Sequence, residues 1–178
     1  MKAATGYLPL CVLLVTSFYL EAKDLPDACG DDDVHFHVTT ERNQPLPAFA
    51  SDRAQVVFIE SVDRDFCLGC NPVTARVAID GAWIGATKDG SYVVSDVAPG
   101  RHQACADWQR LIDLKVYVAA FTVEAGKTYF FLVRVTDRSY KTGNIEHEDE
   151  KIRLYQLGDS EGYSLLKDAN LSVVSVYK

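Results

Sequence analysis

The fold is decided by Ile79–His102, IDGAWIGATKDGSYVVSDVAPGRH. Three turn dipeptides punctuate it: Asp80-Gly81, Asp89-Gly90 and Pro99-Gly100. Asp-Gly suits a two-residue hairpin loop, because glycine accepts positive φ without a Cβ clash. Pro-Gly suits a type II turn, with proline fixing φ at the second position and glycine taking positive φ at the third. Between the turns lie Trp83–Thr87 and Ser91–Val97, both of strand length and composition. Upstream, Ala75, Val77 and Ile79 alternate with Arg76 and Ala78, the period of a half-buried strand. Downstream, His102, Ala104, Ala106 and Trp108 share one face of a further strand.

The pattern continues outward. Ala54–Glu60 (AQVVFIE) reads as a buried strand, Lys115–Glu124 as another, and Thr128–Thr136 (TYFFLVRVT) as an aromatic strand after the turn Ala125-Gly126-Lys127. Lys151–Leu157 and Leu171–Tyr177 add two more strands, and Ser160–Ala169 is the helix candidate. Strands at intervals of about 8–12 residues predict a mainly β chain, an antiparallel β-sandwich of about seven to nine strands with one short C-terminal helix. Asp137–Glu150 is polar, ends in the acidic run Glu146–Glu150, and reads as a flexible excursion.

Ahead of this domain, taken as residues 54–178, stand two segments. Residues 1–22 carry Lys2 and the apolar run Tyr7–Leu20. That run has the length of an export-signal core and falls short of the roughly 20 apolar residues a bilayer span needs. Residues 23–53 form a polar arm with prolines, the triplet Asp31-Asp32-Asp33 and one strand-like run, Val34–Val38, suited to a sheet edge. An exported chain sits in an oxidising compartment. Once Cys11 leaves with the signal, Cys29, Cys67, Cys70 and Cys105 predict two disulfides. The expected pairing joins Cys105 to the Cys67/Cys70 loop and Cys29 to the other loop cysteine. A net charge of −7 argues against nucleic acid as a partner, because phosphate backbones are repelled.

Arg76–Trp108, then FTVEAGKTYFFLVRV (Phe121–Val135) and DSEGYSLLK (Asp159–Lys167), resemble the uncharacterised bacterial family called domain of unknown function 2846. The shared elements are a D-G hairpin, a G-S-Y strand, a P-G-x-H turn and an A-G-K-T-Y-F strand start, in that order. The core is also similar to PEGA-type and carboxypeptidase-regulatory-type sandwiches. The resemblance implies an exported β-sandwich of the cell envelope and transfers no catalytic residue.

Candidate chemistry is sparse. Gly158-Asp-Ser160-Glu-Gly162 matches a nucleophile-elbow spacing between a strand and a helix, but the last histidine, His147, precedes it. A helix cap by Asp159 or Ser160 explains the same residues. His35 and His37 share a strand face with metal-ligand spacing and lack an evident third ligand. Cys67-Leu-Gly-Cys70 is followed by Asn71-Pro72 rather than by a helix, so it reads as structural and not as a redox pair. The acidic runs lack the ordered spacing of a calcium loop. Trp83, Trp108, Tyr92 and Tyr117 are aromatic candidates for a ligand platform or for core. The reading is therefore a non-catalytic exported module without a cofactor, acting as a scaffold or binding an envelope protein or glycan. The alternative is a small hydrolase using Ser160 or a metal protein using His35 and His37.

Overall fold

In the computed structural model, residues 25–42, 44–64, 73–88, 90–109 and 115–177 are described. They form ten strands and one helix in two sheets. The first sheet contains β1 (His35–Glu41), β2 (Ala54–Arg64), β5 (Ser91–Val97), β8 (Thr128–Thr142), β9 (Ile145–Leu157) and β10 (Asn170–Tyr177), in the order β1-β10-β5-β2-β8-β9. The second contains β3 (Thr74–Ile79), β4 (Ala82–Lys88), β6 (Gly100–Trp108) and β7 (Lys115–Val123), in the order β4-β3-β6-β7. The helix, α1 (Asp159–Leu166), lies between β9 and β10.

The decisive stretch behaves as its turns dictate. Asp80 and Gly81 have φ of 51° and 82°, a mirror-image turn that closes β3 onto β4 with Ile79 opposite Ala82. The next two turns carry the chain between sheets, so β4, β5 and β6 alternate from the second to the first and back. That alternation makes the first sheet mixed rather than purely antiparallel. β2 runs parallel to β8, and β10 parallel to β5. A chain that leaves a sheet and returns can arrive in either direction, and period-2 patterning carries no record of that direction.

The main core is built from both sheets. Val56, Phe58, Phe131 and Val133 of the first meet Val77, Ala106, Trp108 and Phe121 of the second. Phe131 stacks on Phe58 at 5.3 Å and meets Phe121 edge-on at 5.0 Å, which are the favoured aromatic geometries. β2 is buried on its other face too, where Val57 and Ile59 join Tyr92 and Phe130 under Leu46, Leu157, Leu166 and Leu171. Gly162 permits the helix to close on this face: a Cβ there would lie 2.2 Å from the Phe130 ring.

The expected excursion at Asp137–Glu150 is instead the far half of a long hairpin, with β8 and β9 paired continuously from Phe130↔Leu157 to Thr142↔Ile145. Gly143, at φ 64°, takes the first position of the two-residue loop. Hydrophobic alternation is missing because this ribbon has no core to face. Its register is marked by cross-strand partners: Arg138 opposite Asp149, Lys141 opposite Glu146, and Tyr140 opposite His147 with rings 4.9 Å apart.

Candidate functional site: the covered face of the second sheet

The side chains of β3 and β6 that point away from the main core include Arg76, Ala78, Cys105 and Asp107, with Arg76 opposite Asp107 and Ala78 opposite Cys105. All four are buried. Residues 25–34 lie over them as a cover, where Ala28 and Cys29 pack against Ala78 and Cys105 with Leu25, Trp83 and Val116 around them.

Three kinds of bond fix the cover. A disulfide joins Cys29 to Cys105, 76 residues apart in sequence. This corrects the expected pairing of Cys105 with the Cys67/Cys70 loop. β3 begins at Thr74, just after that loop, whereas Cys105 stands opposite Ala78, about 13 Å further along the ladder and facing the cover. Cys67 and Cys70 themselves lie outside the described residues. The second bond set centres on the Arg76 guanidinium. Its Nε donates to Asp107 Oδ2 (2.7 Å), and its Nη1 donates to the carbonyls of Asp32 (3.1 Å) and Val34 (2.5 Å). Third, Gly81 N donates to Ala28 O (3.1 Å), and the Trp83 indole N–H donates to Asp31 O (2.9 Å).

The electrostatics follow from burial. Asp107 is fully buried, and desolvation pushes its carboxyl above the ordinary value although Arg76 pulls it down. Its Oδ1 accepts no hydrogen bond among the described residues. The cover therefore shields a charge pair that needs both partners, since either one alone would be a buried uncompensated charge. Downstream the cover becomes β1, whose Phe36 exchanges two hydrogen bonds with the Gln109 side-chain amide, 2.7 and 3.1 Å, in place of a neighbouring strand.

At the edge of the cover lies an open cleft of about 410 Å³, lined by Gly30, Asp31, Val34, Phe36, Gly81, Ala82, Trp83, Ile84 and Val176. Trp83 forms one wall, with the Arg76 guanidinium 4.6 Å from its ring centre. Gly30 is required here, because a Cβ would sit 2.2 Å from the indole.

The other candidates separate. Trp108 is in the main core, and Tyr92 is buried with its hydroxyl donating to Gln44 O (2.9 Å). Tyr117 lies under the Arg153 guanidinium at 5.1 Å. The four aromatics therefore make no common platform, and Trp83 alone among them lines the cleft. Ser160 is exposed in the first turn of α1, and no histidine hydrogen-bonds it among the described residues. The expected cap is also absent: Gly158 takes the N-cap position without a side-chain bond. His35 stacks on Tyr177 at 5.6 Å and His37 is exposed on the same face of β1. No cluster of three His, Cys, Asp or Glu side chains suited to a metal occurs among the described residues. His102 buttons two turns together: its ring nitrogens lie 2.6 Å from Asp80 Oδ2 and 2.8 Å from Ala98 O. Both neighbours are acceptors, so the imidazolium satisfies them best. Burial opposes that charge, yet the hydrogen bonds to Asp80 and Ala98 outweigh it and raise the His102 pKa.

Sequence reasoning passed over Arg76, Asp107, Phe36, Ile84 and Val176. The signal was present in the outward positions of β3 and β6, which read Arg-Ala and Cys-Asp rather than the all-polar set of a solvated face.

The architecture is that of a mainly β chain whose second sheet carries a disulfide-fixed cover. Comparison with protein-family models, curated proteins and solved structures returns no match. Among the described residues no helix is long and apolar enough to cross a membrane.

Proposed function

We propose that this chain is a non-catalytic, exported β-sandwich module of the bacterial cell envelope that binds a partner through the cleft beside Trp83. The observation that carries the reading is the cleft itself. It is an open recess with apolar walls, assembled from three separate parts of the chain, and one of those parts is held by a disulfide. A recess of this size with an aromatic wall is what a binding site offers. The disulfide supports placement outside the reducing cytoplasm, where such bonds persist. The ordered turn motifs support kinship with the domain of unknown function 2846. Residues 1–22 serve in this reading as the export signal, and residues 54–178 as the sandwich that carries the arm.

The test is retention of envelope components on the oxidised protein, read by mass spectrometry and compared with a Val176→Glu variant. Val176 is 58% exposed, so the substitution places a charge on the cleft wall without burying it. A component held by the parent and lost by the variant supports the reading; identical retained sets overturn it.

A further inference from the structure

The cleft has a marked chemical bias. Trp83, Phe36, Val34, Ile84 and Val176 supply apolar walls. Among the described residues the one charged side chain in its lining is Asp31, whose carboxylate makes no ion pair or hydrogen bond with any of them. The indole N–H of Trp83 is already committed to the Asp31 carbonyl. The nearby cation, Arg76, is committed to Asp107, Asp32 and Val34 behind the indole. Among the described residues no lysine, arginine, serine, threonine, asparagine or glutamine lines the recess. An anionic ligand meets no side-chain donor among these described residues, and a sugar meets few of the polar groups that usually orient its hydroxyls. A positive charge, in contrast, meets Asp31 with the exposed Asp27 and Asp33 close by in sequence, on a chain of net charge −7.

The backbone adds a second constraint. Among the described residues β4 is the terminal strand of its sheet, so Ala82–Ile84, which include a bulge at Ile84 against β3, have no strand neighbour in that sheet on the side away from β3. An unpaired sheet edge beside apolar pockets is the setting for strand addition by an extended peptide, in which main-chain bonds give affinity and alternate side chains fill the pockets.

We propose that the cleft takes an extended peptide segment, with one large apolar side chain seated between Trp83, Phe36 and Val176 and a flanking lysine or arginine against Asp31. This rests on the binding reading above and names its partner class.

The probe is the synthetic peptide Lys-Lys-Val-Phe-Val-Lys-Lys, titrated into the oxidised protein while the Trp83 indole N–H is followed by NMR. Two companions accompany it, one with glutamate and one with glutamine in place of every lysine. The lysine peptide is expected to shift the Trp83 signal saturably, more weakly as salt rises. The glutamate peptide should bind at least about tenfold more weakly, and Asp31→Asn should weaken the lysine peptide by about threefold to tenfold. Asp31 is exposed, so that variant leaves the fold intact. Equal binding by the glutamine and lysine peptides overturns the charge assignment while the cleft remains a binding site. No saturable Trp83 shift with any of the three overturns this inference, and the retention experiment then judges the binding reading separately.

Discussion

Replacing both members of the Cys29–Cys105 bridge by alanine removes the covalent tie of the cover. The bridge spans 76 residues of sequence. In the chain-entropy account, closing a loop of that size lowers the unfolded-state entropy by about 15 cal/mol/K, or about 4.5 kcal/mol at 25 °C. Domains of this size are stable by about 5–15 kcal/mol, so the loss is a large fraction of the whole. With a urea dependence of about 2 kcal/mol/M, the unfolding midpoint should fall by about 2 M. Tryptophan fluorescence is a suitable probe, because Trp83 reports on the cover and Trp108 on the main core. The Trp83 transition should also precede the Trp108 transition in the variant, since the cover keeps only its hydrogen bonds and the Arg76 pair. A midpoint lowered by less than about 0.5 M, or a non-reducing peptide map joining Cys105 to a cysteine other than Cys29, refutes the reasoning.

Three further outcomes are expected. Arg76→Leu leaves Asp107 buried without its counter-charge and should cost about 3–5 kcal/mol in urea unfolding, while Arg76→Leu combined with Asp107→Leu should recover most of it. His102, raised when folded, stabilises fully below its ordinary value near 6.5 and loses this as pH rises through the folded value; Asp80, lowered when folded, stabilises above its ordinary value and loses this as pH falls. His102→Gln should therefore cost under about 1 kcal/mol of stability at pH 5, because Asp80 is half exposed, and lower the melting temperature there while leaving it unchanged at pH 9. Gly162→Ala drives a methyl group into the Phe130 ring and should destabilise by about 1–3 kcal/mol, with loss of helical circular dichroism if α1 lifts off the sheet.

Most strands were legible because each lies between turn residues with one physical solution. Asp80-Gly81 forms the hairpin that its glycine permits, and the alternation of Ala104, Ala106 and Trp108 points into the core as its period requires. Strand direction was not legible, because the hydrophobic pattern of β2 is the same whether β8 runs with it or against it. The ribbon beyond Asp137 was missed for the opposite reason: it is held by ladder bonds and the Tyr140–His147 ring contact, and it has no buried face to mark it. The cover was the largest omission. Its residues are polar in composition, and what buries them is a single cysteine and carbonyls that receive Arg76. Backbone acceptors leave no trace in a sequence. The cleft inherits that difficulty, since Val176 and Phe36 are brought together only by the β1–β10 pairing.

The bridge from Cys29 to Cys105 also decides how this chain carries mechanical load. Tension applied at the N-terminal end reaches Cys29 and crosses the sulfur–sulfur bond directly into the middle of β6. The covalent path bypasses β1 to β5, which lie within the closed ring. Pulled from its two ends in the oxidised state, the molecule can pay out only the segments before Cys29 and after Cys105, and the length of chain between them is released only when a reductant opens the ring.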